Sequence, residues 1–343
     1  MKKVFTTILC IAVSAAALLI VLYFSKKTET GYQKLKIGSS EYIDLIYPTA
    51  SILSTIINTD CHFHDLHTEV KITSGSDDSL LKLLRGDINM ALVDDIVSET
   101  AYEGKMVFAK SPKHTELRSI CAFYLDAIVF IVNDKSNINS FNDIRGKKIS
   151  ISLSGNSEKT GEIANEILDF YKLKSSEFEM FSYGFEESIM AMENGEIDGF
   201  MYLIAMPNSS LTGISHSKKI KCRLISLDED LIHYLQRENK VLRPLTIPKS
   251  MYPDMTNKTD VITLGDRVML VTLNETDNKI VYEITKAICE DFNMFKSVHP
   301  AFKDITPKSM AENLTLPVHP GALKYYKKAD LAEYIPKDLI LNQ

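Results

Sequence analysis

Two apolar runs, CAFYLDAIVFIV (121–132) and TDVITLGDRVMLVTL (259–273), are longer than ordinary strands and interrupt an otherwise regular alternation of short apolar segments and amphipathic helices. That alternation is the mark of an α/β fold. Two strand–helix modules separated by two such runs imply two lobes joined by crossing strands. In sheets of this kind ligands sit outside the carboxyl ends of the strands. The chain is therefore expected to carry a central cleft lined by its strand–helix turns.

The pattern reads as follows. LKIG (35–38) is a strand, and a helix from Tyr47 to Ile57 presents Ile52, Leu53, Ile56 and Ile57 on one face. TEVKIT (68–73) is a strand, SGSDD a turn into a helix, and INMALV (88–93) a third strand. KKISISLS (147–154), EMFSYG and GFMYLI are strands of the second module, and 278–295 is one amphipathic helix. No internal repeat is visible. Each turn delivers Ser, Gly or Asp to a helix N-terminus, where unpaired N–H groups and the positive dipole end gather. The serines there are N-caps or ligand contacts, and the two roles are compatible. Asp94 and Asp95 either hold an amine or cap the next helix, while the tyrosines at these turns face a solute or the core.

Residues 1–27 are a separate object. Lys2 and Lys3 precede an uncharged run from Val4 to Phe24, and Lys26 and Lys27 follow it. As a helix the run would span roughly 30 Å, the thickness of a bilayer's hydrocarbon core. It is a cleaved signal peptide or an uncleaved membrane anchor. Cleavage after Ala15-Ala16-Ala17 would leave the more apolar half, Leu18 to Phe24, on the mature chain, so the anchor accounts for more of the sequence. Either way the body is expected in the periplasm, soluble or held at the inner membrane.

The chain has 39 Lys and Arg against 45 Asp and Glu. An acidic body repels phosphate backbones and argues against nucleic-acid binding. Cys61, Cys121, Cys222 and Cys289 are widely spaced with no CxxC, which leaves disulfides and buried thiols both open. Cys61, His62, His64 and His67 form a metal-like grouping, but they fall in a helix-to-strand connection away from the cleft and read as a solvated loop. No metal or cofactor is expected. GxSxG, Walker and HExxH motifs are absent from the sequence, and the protein is not expected to be an enzyme.

The tail HPAFKDITPKSMAENLTLPVHPGALKYY (299–326) is broken by Pro307 and Pro317, and His319-Pro320-Gly321 reads as a turn into a final helix. As a string it resembles the C-terminal signature of the TAXI family, the solute-binding subunits of TRAP transporters. The likeness runs from Lys36 to about Lys327. Gly38 to Asp44 before Ile46-Tyr47-Pro48 resembles the family's glycine-rich opening. SGSDDSLLKLLRGDINMALVDD (74–95), INSFNDIRGKKISISLSGNSEKT (138–160), ENGEIDGFMYLIAMP (193–207) and LTIPKSMYP (245–253) follow in family order.

The resemblance implies a two-lobed type II periplasmic-binding-protein fold behind one N-terminal hydrophobic helix. Lobe one would be 34–125 plus 267–343, and lobe two 126–266. It implies capture of a small organic acid or amino acid and delivery to TRAP membrane subunits. The expected contacts are Ser39, Ser40, Tyr47, Ser74, Gly75, Ser76, Asp94, Gly155, Asn156, Ser157, Tyr183 and Tyr202. One departure matters. The opening keeps Gly38 but has lost nearly all the other glycines, which in the family let bare backbone approach a carboxylate. Glu41, Asp44 and Asp94 would also oppose an anion. The departure points to an amine-bearing ligand, or to a surface or signalling protein that reuses the fold with a degenerate pocket.

Overall fold

The computed structural model describes residues 33–40, 45–60, 66–105, 108–151 and 158–341. The run 4–24, Glu41 and Asp44, Cys61 to His64, and Gly155 to Ser157 lie outside the described residues.

β1 (Gln33–Ser39), β2 (Leu66–Ile72) and β3 (Met90–Asp94) are parallel, with helices Ile46–Asp60 and Ser76–Leu84 in the connections. β5 (Lys148–Ile151), β6 (Glu179–Phe181) and β7 (Gly199–Ala205) repeat this arrangement with helices Glu158–Phe170 and Phe185–Glu193. The two long apolar runs are β4 (Leu117–Asn133) and β10 (Val261–Leu273), which lie antiparallel at the centre. The sheet order is β2-β1-β3-β10-β4-β7-β5-β6; β8 (Cys222–Leu224) pairs with β4 and β9 (Arg243–Ile247) with β10. The expected crossing strands are thus present. The expectation of no internal repeat is corrected, because one βαβαβ unit stands on each side of the central pair.

Three apolar clusters hold these layers together. The first gathers Ile37, Leu92, Leu270 and Tyr326. Because side chains alternate across a strand, the second half of β4 splits its residues between the other two. Ile128, Phe130 and Val132 enter the second cluster, and Ala127, Val129 and Ile131 the third. Helix Asp95–Glu103 follows β3 yet sends Ile96 into the second cluster, so it ties the two halves together.

The region read as one helix over 278–295 is two, Asn278–Glu290 and Asn293–Val298. The turn at Asp291 lets Phe295 bury against Phe123 and Phe302, with ring centroids 5.2 and 5.5 Å away. In the tail, His319 Nδ1 accepts the Gly321 N–H at 3.1 Å and Pro320 takes the first position of helix Pro320–Lys328. His299 caps the short helix Pro300–Phe302 in the same way, through Ala301 N–H at 3.1 Å. Both His-Pro dipeptides are therefore helix starts, in which proline's missing N–H costs nothing. Gly321 is required by close approach, since a Cβ there would lie 2.3 Å from the Asn278 carbonyl oxygen.

Cys121, Cys222 and Cys289 are buried free thiols. Among the described residues, no helix is long and apolar enough to cross a membrane, and no group of three His, Cys, Asp or Glu is placed to hold a metal ion.

Candidate functional site

Sheet register brings the carboxyl ends of both strand sets to one line. Asp94, at the end of β3, pairs with Val268; Asp266 pairs with Asp126, and Asp126 with Ala205 at the end of β7. Directly paired residues share a face, and so do residues two apart on a strand. Asp94, Asp266 and Asp126 therefore line one face of the crossing, and all three are buried.

Each acid is positioned by a specific contact. Ser76 Oγ donates to Asp94 Oδ2 at 2.6 Å and accepts the Asp94 N–H at 3.2 Å. Asp94 stands at the N-cap position of helix Asp95–Glu103, but its side chain makes no capping bond. Asp266 takes that role from across the sheet, accepting the Ile96 N–H at 3.2 Å on Oδ1. Its charge thereby meets the positive end of the helix dipole.

Arg267 follows Asp266 and so belongs to the opposite face of β10. It donates to the Phe123 carbonyl at 3.2 Å and faces Asp95. Burial draws the guanidinium's pKa down, and the Asp95 charge opposes that fall. Asp95 accepts the Thr315 hydroxyl on Oδ1 at 2.9 Å, while its buried Oδ2 has no hydrogen-bond partner among the described residues. Burial pushes Asp95 up to about 8, against the pull of Arg267 and Thr315. Three carboxylates thus occupy one face, and the nearest guanidinium is engaged on the other.

The expected contacts divide into groups. Ser39, Ser40, Ser76 and Asp94 come together at adjacent strand ends, all buried. The Ser39 carbonyl accepts Thr73 N–H and Oγ1 at 2.7 and 2.8 Å. Ser74 and Gly75 form the turn. No serine caps the next helix: Gly75 is the N-cap residue at φ 138°, and Asp78 Oδ2 accepts the Ser74 N–H at 3.0 Å. Gly38 does not present open backbone, because a Cβ there would lie 2.4 Å from Ile88 Cδ1. Tyr47 is half-buried in the first turn of helix Ile46–Asp60.

Tyr183 and Tyr202 gather elsewhere, half-buried at the rim of the third cluster. Tyr202 packs on Phe185 at 5.1 Å and Tyr183 on Phe181 at 5.4 Å. Gly155, Asn156 and Ser157 lie outside the described residues.

Sequence reasoning passed over Asp126, Asp266 and Arg267 as site residues. Their signal was present, since charges inside two otherwise apolar runs are costly to bury without a purpose.

A model of the NMT1-like family matches residues 37–329. Among solved structures, PhnD1 of Prochlorococcus marinus MIT 9301 in complex with methylphosphonate is similar over 88% of this chain and 100% of that one, at 12% identity and TM-score 0.50. The periplasmic aliphatic sulphonate binding protein SsuA of Escherichia coli is similar over 89% of this chain and 80% of that one, at 13% identity and TM-score 0.41. The SsuA of Methylobacillus flagellatus KT, a putative sulfonate ABC transporter's periplasmic binding protein, covers 90% and 91% at 13% identity and TM-score 0.47. At such identities the likeness is one of fold. The fold is the two-lobed α/β architecture of type II periplasmic binding proteins, with its cleft at the crossing of β4 and β10.

Proposed function

Since this chain belongs to the NMT1-like family, we propose that it is an extracytoplasmic solute-binding receptor for a membrane transporter, with no chemistry of its own. The solute would sit between lobe one (34–125 plus 267–343) and lobe two (126–266). Closure of the lobes would report occupancy to the membrane subunits as a population shift.

One observation carries the choice of solute, the row Asp94, Asp266 and Asp126 on a single buried face. Like charges on facing strand positions repel, and a positive group relieves them. We therefore infer an amine-bearing solute, an amino acid rather than a simple organic acid. Ser39, Ser40, Ser74, Gly75, Ser76 and Tyr47 would line lobe one, and Gly155, Asn156, Ser157, Tyr183 and Tyr202 would close from lobe two.

Titration calorimetry against amino acids, polyamines, dicarboxylates, sulfonates and phosphonates tests this. Saturable binding of an amine, weakened at least about tenfold by Asp126→Asn, is the expected result. Tighter binding of an anion would sink the amine reading, and no binding across the panel would sink the receptor reading.

The ordered sequence blocks from Lys36 to Lys327 support a TAXI subunit of a TRAP transporter. The sulfonate-binding relatives include one named for an ABC transporter. Uptake into membrane vesicles driven by a sodium gradient is expected; uptake driven only by ATP would assign the ABC class. A second reading, a surface or signalling protein with a degenerate pocket, draws support from Gly38, whose open side is filled by Ile88.

A further inference from the structure

Lobe one carries a groove that the cleft does not use. The pairings Ile37 with Met90 and Ala91 with Val271 make Gln33 project past the end of β10, at the pole away from the strand crossing. Helix Asn278–Glu290 starts from that same pole, directly after β10 ends at Leu273. Helix Pro320–Lys328 is pressed against its start through Gly321. Between them and the C-terminal segment lies a groove of about 490 Å³ whose floor is Pro320, Leu323, Ile340 and Leu341. Lys324 and Lys327 stand on its wall, and no acidic residue lines it. Leu341 is 43% exposed, although the groove is otherwise built to take apolar groups.

We propose that this pole docks on an anionic lipid bilayer, with Lys324 and Lys327 meeting the headgroups and Leu341 entering the interface. Two features favour a bilayer over other occupants. Lysines beside an apolar strip match a surface that is anionic above and apolar below. The apolar run 4–24 is joined to Gln33 only by residues 25–32, a segment at most about 28 Å long when extended. A chain anchored by that run would keep this pole within reach of the headgroups. Lobe one would then be the fixed lobe, and lobe two the one that swings.

The full-length chain in nanodiscs, with and without phosphatidylglycerol in phosphatidylcholine, provides the test by hydrogen exchange. Amides of 320–328 and 340–341 are expected to slow at least about tenfold when the anionic lipid is present, from two lysines near a charged surface. Lys324→Glu with Lys327→Glu should abolish the slowing while leaving the exchange of β4 and the unfolding midpoint unchanged. Equal exchange in both lipids, or slowing that survives the double substitution, would overturn the proposal. So would the same slowing produced by glycerophosphate without a bilayer, or by self-association in zwitterionic discs. Solute binding is measured separately, and its absence would leave this surface standing.

Discussion

Asn89 and Asp198 hold the same place in the two halves of the protein. Asn89 Oδ1 accepts the Lys36 backbone N–H at 2.9 Å, and Asp198 Oδ2 accepts that of Lys148 at 2.9 Å. Each returns its own N–H to the same lysine's carbonyl, at 3.0 and 2.7 Å. Each also follows a glycine at φ 76° that ends a helix, Gly86 or Gly195. These bonds pin the start of β3 to β1 and of β7 to β5. Asn89→Ala and Asp198→Ala should each cost about 1 kcal/mol, while Asn89→Asp and Asp198→Asn should be nearly neutral. Urea unfolding midpoints measure both pairs.

Two glycines should respond oppositely to alanine. Gly321→Ala drives a methyl into the Asn278 carbonyl and Tyr282 nitrogen, at 2.3 and 3.0 Å, and should destabilise by about 1–3 kcal/mol. Gly213, in helix Ser209–Ser215, would meet nothing within 4 Å. Gly213→Ala should stabilise by about 0.5–1 kcal/mol. Thermal unfolding of the two variants side by side decides the matter.

His319 makes stability fall in acid. Burial lowers its pKa from 6.5 to about 4. The unfolded chain therefore binds the proton more tightly, and stability is lost as pH drops from about 6.5 toward about 4. His319→Asn keeps an acceptor for the Gly321 N–H and should remove this limb of the profile. A midpoint-against-pH curve unchanged by the substitution would refute the assignment.

Asp95 acts in the other direction. Its pKa is raised from 3.8 to about 8, so the folded state holds the proton more tightly. The stability this gives is full below about 3.8 and is lost as pH rises toward about 8, at up to roughly 1.4 kcal/mol per pH unit. Asp95→Asn mimics the protonated acid and should flatten the decline. A loss of stability at every pH would instead mean that Arg267 needs the carboxylate charge.

The fold was readable where the signal is local. β4 and β10 announce themselves as apolar runs too long for one lobe, and His319-Pro320-Gly321 carries its helix start in three residues. The acid row was not readable, because its members are united only by register. Asp126 showed as a break in its run, but its partner Asp266 lies on a strand far along the chain, and sequence spacing says nothing about such pairs. The serines failed for a related reason. Ser76 looked like a cap, yet the nearest buried carboxylate, Asp94, claims its hydroxyl. The duplication was hidden because only its turns keep their residues. Gly75 and Gly184, Ser79 and Ser188, and Ile88 and Ile197 correspond, while the apolar side chains between them were exchanged to suit different cores.

Leu117–Asn133 supplies side chains to all three apolar clusters. The protein therefore cannot be bisected into autonomous halves, because whichever fragment surrendered this strand would lose its central plank. Opening and shutting must then proceed by twisting a shared ribbon rather than by parting two finished bodies. A stiffening substitution at its midpoint would be felt equally by both.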